Sequence, residues 1–225
     1  MSKDYTNKVQ YLGHYGGDIT HGLSAWTSTY RDLPQEKLDR LPAMLAKLAE
    51  EEHETPFEKS VQHFLVDTEI ASHIHILKHR AGVSCNAESA RYKELKEDKF
   101  YIPADFYDVP ITGIPSAKIW GCTNWAEALT HISEETNLLY HACLKDVEKV
   151  HGRKRAKESA RFFKMYNSQI ESDVMFNWRS FAHFLYLRRS PQAQKEICEV
   201  ADRMLTIIKE LPGNPFKYTI EAFGL

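Results

Sequence analysis

Residues 78–92, KHRAGVSCNAESARY, bring an unusual variety of hydrogen-bonding groups into one short segment. Three basic side chains come first. Hydroxyl, amide, carboxylate and guanidinium groups follow, with only small residues between them. Arginine offers a planar fork of donors and lysine offers a point charge, and both suit phosphate. The mixture predicts a site that holds a polyanion together with a planar heterocycle.

The basic residues Lys78, His79 and Arg80 also fit a simpler interpretation. They follow an apolar helical stretch, and cations at the C-terminal end of a helix favour its negative pole. From charge alone, a solvated helix end is the better account. The polar residues that follow favour ligand binding instead. We expect Ser89 to bind a ligand by hydrogen bonding, because a hydroxyl with no adjacent base is a weak nucleophile. Glu88 either neutralises an arginine or contacts a substrate.

Two further groups of residues invite a functional interpretation. In NWRSFAHFLYLRR (177–189), Arg179 and His183 are four positions apart and share a helical face, although an amphipathic helix with charged ends explains this run equally well. Five histidines lie between residues 53 and 79, but their spacings match no zinc signature. We therefore expect no metal site.

Composition excludes several classes of protein. The formal net charge is -2, so the chain is no polycation, and we expect no nucleic-acid polymer as partner. The four cysteines form no CxxC pair, which favours reduced thiols in a cytoplasmic protein. The N-terminal segment lacks the apolar core of a signal peptide, and no stretch approaches the length of a membrane span.

The helices and strands that must position these groups can be predicted from hydrophobic periodicity, helix-capping residues and the helix-breaking residues Pro and Gly. The predicted strands are Val9–His14, Val61–Asp67 and Gln169–Phe176. The predicted helices are residues 35–52 with either a break or the start of a second helix at Pro42, a short one from Thr55, Ile70–Lys78, Asn124–His151, Lys154–Lys164, Asn177–Arg189, and one from Pro191 to about Lys209. Loops are predicted after Gly82 and over residues 104–117. A single α+β domain covering residues 1–225 is the simplest account.

Several motifs in one order resemble the landmarks of flavin-dependent thymidylate synthases, the ThyX family. They are HETPFEKSVQHFLV, KHRAGVSCNAESARY, FYIP and NWRSFAHFLYLRRSPQAQKEI, and the resemblance covers roughly residues 50–225. The chain departs from the family signature in three places: Lys78 replaces an arginine, eight residues rather than seven separate Arg80 from Ser89, and Ala87 stands where an acid or amide is common. The resemblance implies a small antiparallel sheet packed by helices.

The resemblance also implies an enzyme, a methyltransferase that converts dUMP to dTMP. Methylenetetrahydrofolate would supply the carbon, NADPH the reducing power, and FAD would be the cofactor. Family members are homotetramers with shared active sites, and we expect the same here. Two alternatives stay open: a flavin- and folate-dependent pyrimidine nucleotide hydroxymethylase on the same scaffold, and a non-catalytic nucleotide- or RNA-binding protein.

The family's site residues can be carried over by position. Those expected to bind FAD are Thr55, Glu58, Lys78, His79, Arg80, Asn177, Arg179 and His183. Those expected to bind dUMP are His75, Lys78, Glu88, Ser89, Ala90, Arg91, Arg161 and Arg188. Arg188 matches the arginine held against the pyrimidine and is the candidate catalytic residue. The family needs no cysteine nucleophile.

Overall fold

The computed structural model describes residues 6–115 and 118–225, which include a four-stranded sheet. The strands are β1 (Lys8–Tyr15), β2 (Val61–Glu69), β3 (Val83–Ala87) and β4 (Gln169–Asn177). Their order across the sheet is β1-β2-β4-β3. Helices and a small antiparallel sheet together confirm the predicted α+β class.

Helices make up most of the remaining structure. They are α1 (Asp18–Trp26), α2 (Gln35–Glu50), α3 (Ile70–Leu77), α4 (Trp125–Ala160), α5 (Trp178–Arg188), α6 (Lys195–Lys209) and α7 (Lys217–Ala222), with 3₁₀ turns at Thr55–Lys59, Ala104–Asp108 and Arg161–Phe163. Gly152 interrupts α4 with φ 79° and ψ 162°. The predicted end of one helix and start of another at this point are therefore confirmed.

The chain divides into two compact units. The α4 unit comprises residues 6–7, Asp67–Ile74 and Ala87–Ser172, and the α5 unit comprises Lys8–Val66, His75–Asn86 and Asp173–Leu225. The prediction of a single domain over residues 1–225 stays a prediction.

Each unit has its own apolar core. In the α5 unit the fully buried aromatic side chains are Phe57, Phe64, Phe176, Trp178, Phe181, Phe184 and Phe216. Helix α6 adds apolar side chains at helical spacing, from Ile197 through Val200 and Met204 to Ile208. The α4 unit buries the smaller cluster Tyr140, Leu144, Ala156 and Ala160. The larger core lies under α5, and so gives that helix a rigid base.

Five elements differ from the sequence-based expectations. Residues 83–87 form β3 rather than a loop, because their backbone pairs with β4. Pro42 lies inside α2 without ending it, since Leu41 and Leu45 are buried on either side and their packing outweighs the lost hydrogen bond. Pro191 does not start the next helix, which begins at Lys195. Helices α1 and α7 were not predicted.

Candidate functional site

A cavity of about 840 Å³ opens within the α5 unit. Its wall is built from residues near the 3₁₀ turn Thr55–Lys59, the turn that follows α3, and one face of α5. The volume lies in the range typical of small-molecule sites, about 300–1,000 Å³. Predicted cofactor-binding residues line it, namely Glu58, Lys78, His79, Arg80, Asn177, Arg179 and His183, and so does Arg188. Thr55 lies in the adjoining turn and is not part of the lining.

The turn after α3 is tied to the start of α5 by hydrogen bonds to its backbone carbonyls. Asn177 N–H donates to the Gly82 carbonyl at 2.9 Å, and Ser180 Oγ donates to the Ala81 carbonyl at 2.6 Å. Asn177 Oδ1 also accepts the Ser180 N–H and so caps α5. Gly82 has φ +61°, and a Cβ there would lie 2.4 Å from Asn177 Nδ2. Only glycine allows this approach, which holds the neighbouring Arg80 at the cavity.

Two carboxylates hold the Arg179 guanidinium at the edge of the cavity. Its Nε donates to Glu54 at 2.5 Å and one terminal nitrogen donates to Glu58 at 2.8 Å. The hydrogen bonds to Glu58 and Glu54 raise the pKa of Arg179. Its charge is therefore compensated and its orientation fixed. By contrast Lys78 and Arg80 are exposed, and neither takes part in an ion pair anywhere in residues 6–115 and 118–225.

Arg188 has imidazole partners instead of carboxylates. Its Nε donates to His79 Nε2 at 3.0 Å, and one terminal nitrogen lies 3.3 Å from His75 Nδ1. The other terminal nitrogen donates to the His75 carbonyl at 3.4 Å. Burial first, and then the charge of Arg188, together lower the pKa of His79 to about 4. His79 is therefore neutral near neutral pH and able to accept this hydrogen bond.

The other predicted substrate-binding residues lie in the α4 unit, between β3 and the 3₁₀ turn that follows α4. Glu88 pairs with Lys93, and its second carboxylate oxygen accepts the Glu171 N–H at 3.2 Å. The structure gives Glu88 a lysine partner rather than the arginine considered above, and a contact of Glu88 with substrate stays a prediction. Ser89 Oγ accepts the Arg91 N–H at 3.3 Å.

The remaining predicted substrate-binding residues are two arginines and one alanine, and both arginine side chains are exposed to solvent. The Arg91 guanidinium lies 3.3 Å from Glu158 and 5.7 Å from the centre of the Tyr92 ring. Arg161 is exposed in the 3₁₀ turn after α4, and Ala90 is half-buried. The guanidinium groups of Arg91 and Arg161 thus remain accessible to an anion.

Comparison with known proteins decides the family. The family model described as thymidylate synthase complementing protein matches residues 15–212. A protein of Thermosipho melanesiensis named flavin-dependent thymidylate synthase is 34% identical over 99% of this chain and 91% of its own length. A protein of Wolbachia pipientis with the same name is 30% identical over 99% of this chain and 77% of its own length. The chain belongs to the family of flavin-dependent thymidylate synthases.

The fold agrees with that family assignment. The crystal structure of a UMP/dUMP methylase, PolB from Streptomyces cacaoi bound with 5-Br dUMP, superposes with a TM-score of 0.76. The alignment covers 97% of this chain and 94% of that one, at 24% sequence identity. Among the described residues, no helix combines the length and apolar character needed to cross a bilayer.

Sequence reasoning on this synthase-family chain missed several residues of the site. Glu54 was not singled out, although it and Glu58 are four residues apart in the motif HETPFE and both reach Arg179. Ser180 was also missed, although a serine three residues after Asn177 is a position whose N–H an asparagine cap can satisfy. Lys93 gave no signal, because nothing in the sequence indicates that Glu88 turns towards it.

Proposed function

We propose that this chain converts dUMP to dTMP, with methylenetetrahydrofolate as carbon donor, NADPH as reductant and FAD as bound cofactor. The single observation that supports this best is the cavity of the α5 unit. It collects residues expected at the flavin together with Arg188, the residue expected at the pyrimidine.

The donors around the cavity fit FAD. A dinucleotide presents phosphates and a planar ring, and reduced flavin is anionic. Lys78 and Arg80 are cations without an ion-pair partner among the described residues, so their charge is available to such a ligand. His79, His183 and Asn177 add ring and amide groups to the same wall. Bound FAD, once reduced by NADPH, would supply the hydride for reductive methylation.

Arg188 would stabilise charge on the nucleotide. Attack from C5 of uracil needs negative charge to build on the carbonyl-amide edge of the ring. A guanidinium that is already fixed beside that edge stabilises the charge where it develops, without reorganising during the reaction. Because Arg188 has no carboxylate partner within residues 6–115 and 118–225, its full charge is available for this purpose.

The α4 unit by itself offers a set of groups for a nucleotide phosphate. We infer that Ser89, Arg91 and Arg161 bind it, because two accessible guanidinium groups and a hydroxyl suit a phosphate. Ala90 would contribute its backbone. Glu88 would act on this segment through Lys93 and β4 rather than by direct contact. The homotetramer and the cytoplasmic location stay predictions.

Product mass tests the proposal. The purified protein would be incubated without oxygen with NADPH, methylenetetrahydrofolate and dUMP, and in parallel with UMP. A nucleotide in which a methyl group replaces one hydrogen supports thymidylate synthesis. A hydroxymethyl product supports the alternative on the same scaffold, and a colourless protein that takes up no FAD and gives no product supports the non-catalytic one.

A further inference from the structure

Two helix ends meet at the Arg188 side chain. Arg188 is the last residue of α5, and His75 lies in the last turn of α3. The His75 carbonyl is among the last four of α3, which lack a partner within the helix, and an Arg188 terminal nitrogen donates to it at 3.4 Å. A cation at this place also favours the negative end of the α3 dipole.

Each of the three guanidinium nitrogens of Arg188 faces an imidazole nitrogen or a carbonyl oxygen rather than a carboxylate. Nε meets His79 Nε2 at 3.0 Å, and the terminal nitrogens meet His75 Nδ1 at 3.3 Å and the His75 carbonyl at 3.4 Å. This arrangement requires His79 to carry its proton on Nδ1 and His75 on Nε2. A guanidinium has five N–H donors, so two remain for a ligand.

Neutral acceptors have a consequence that carboxylates would not have. A carboxylate would bind the guanidinium more strongly but would cancel most of its charge, as Glu54 and Glu58 do for Arg179. Imidazole nitrogens fix the direction of the donors and leave the positive charge intact. The side chain of His79 is itself held, because its ring packs edge-on against Phe184 at 5.0 Å.

We infer that His75 and His79 are positioning residues that hold the Arg188 guanidinium in one orientation with its charge uncompensated. The inference rests on the proposed function and deepens it. His75 then acts on the nucleotide through Arg188 instead of contacting it. His79 serves Arg188 in addition to lining the cavity. Residues at these two positions select how the arginine presents its two remaining donors.

The test compares variants that keep or remove the acceptor. In His79→Gln the amide oxygen lies near the position of Nε2, and in His75→Asn it lies near that of Nδ1. His79→Leu and His75→Leu remove the acceptor at similar volume. His151→Gln is the matched control, because His151 is exposed on α4 within the other unit. If a Leu variant fails to fold, the amide variants still allow the test to be made.

The first readout is steady-state kinetics with flavin content measured by absorbance. We expect each Leu variant to lower kcat/KM for dUMP about 10- to 100-fold, since small misplacements of a charged group are costly. The amide variants should be more active than the corresponding Leu variants once each rate is normalised to the flavin bound, because His79 also lines the cavity. Equal losses in the Leu and amide variants, or losses that follow flavin content, would overturn the inference.

The second readout is the Nε–H signal of Arg188 in protein labelled with ¹⁵N-arginine, which needs no turnover. The signal should be protected from exchange in the wild type and in His79→Gln, and lose protection in His79→Leu. If the wild type makes no dTMP but this pattern holds, the proposed function fails and the positioning role stands. If the enzyme is active and His79→Leu leaves both the signal and kcat/KM unchanged, the positioning role is wrong.

Discussion

Arg188 donates a hydrogen bond from Nε to Nε2 of His79 over 3.0 Å. The acceptor nitrogen must be unprotonated, so the ring is neutral in this structure. Burial first, and then the charge of Arg188, lower the pKa of His79 to about 4, which keeps the ring neutral through the physiological range. Arg188 therefore differs from Arg179, whose charge two carboxylates compensate. The two arginines of α5 line one cavity with different electrostatic roles.

Removing the Arg188 guanidinium should stop turnover without releasing flavin. We expect Arg188→Ala to lower kcat at least about 100-fold, as does the loss of other groups that stabilise developing charge. Arg188→Lys keeps the charge but loses the planar fork, so it should recover only part of the rate. Single-turnover kinetics and flavin absorbance measure the two effects separately. Full activity in Arg188→Ala would remove this residue from the mechanism.

Arg179 should affect flavin affinity more than protein stability. Its ion pairs with Glu54 and Glu58 are half-exposed, and such pairs contribute about 0–1 kcal/mol to the free energy of unfolding. A hydrogen bond to a charged ligand group contributes more, about 1.5–3 kcal/mol. We therefore expect Arg179→Gln to weaken FAD binding about 10-fold or more while Tm changes little.

Fluorescence titration of the flavin-free protein and thermal denaturation check the Arg179 prediction. Lys149→Gln is the control, since it breaks an exposed ion pair with Asp146 in α4, away from the cavity lining. An Arg179→Gln protein that binds FAD as tightly as the wild type, or that loses several degrees of Tm alone, would show that the arginine only stabilises the turn.

Elements with local signals were predictable from the sequence. Asn124 and Asn177 cap α4 and α5 through side-chain hydrogen bonds at 2.9 Å, and Gly152 interrupts α4 where its positive φ requires glycine. Helices α1 and α7 had no such signal. Asp18 in α1 accepts the N–H groups of Tyr218 and Thr219 at the start of α7, and some 200 residues separate these groups in the sequence.

Strand β3 also lacks a local sequence signal that would have predicted it. Its sequence VSCNA has no large apolar residue except Val83, so periodicity alone indicates a loop. It is a strand because β4, more than 80 residues later, offers a paired edge, as in the hydrogen bond from Glu88 N–H to the Glu171 carbonyl at 2.8 Å. Pairing over such distances is set by tertiary structure and not by local propensity.

The same distinction between local signals and long-range contacts applies to the residues of the site. Family resemblance indicated which residues line the cavity, and the structure brings most of the expected flavin-binding residues to it. Resemblance did not indicate their partners. His75 and Arg188 are 113 positions apart, and Glu54 and Arg179 are 125 apart. Such contacts become visible only when the helices that carry them are placed in space.

Ser89 should affect the nucleotide and not the flavin. If its hydroxyl binds dUMP, Ser89→Ala should weaken dUMP binding about 10-fold, the scale of one hydrogen bond to a charged group. Flavin content should stay that of the wild type. Calorimetric titration with dUMP measures the affinity, and Ser84→Ala, at an exposed position of β3, is the control. Unchanged dUMP affinity with abolished chemistry would contradict the hydrogen-bonding role.

Buried His21 should make the protein sensitive to acid. Its side chain is fully buried, with Nε2 at 2.8 Å from Ser60 Oγ and Nδ1 at 2.9 Å from Thr219 Oγ1. Burial lowers its pKa from 6.5 to about 3. The unfolded chain therefore binds a proton more readily than the folded one. The stability conferred by neutral His21 is fully present above pH 6.5 and is lost as the pH falls towards 3.

The size of this effect follows from the same two pKa values. Between about pH 7 and about pH 5, His21 should remove about 2 kcal/mol from the free energy of unfolding. His21→Gln keeps hydrogen-bonding groups but does not titrate in this range, so its stability should fall about 2 kcal/mol less over the interval. Urea unfolding at both pH values measures the difference, with the exposed His151→Gln as control. If His21→Gln and the wild type lose stability in parallel, His21 does not cause the acid sensitivity.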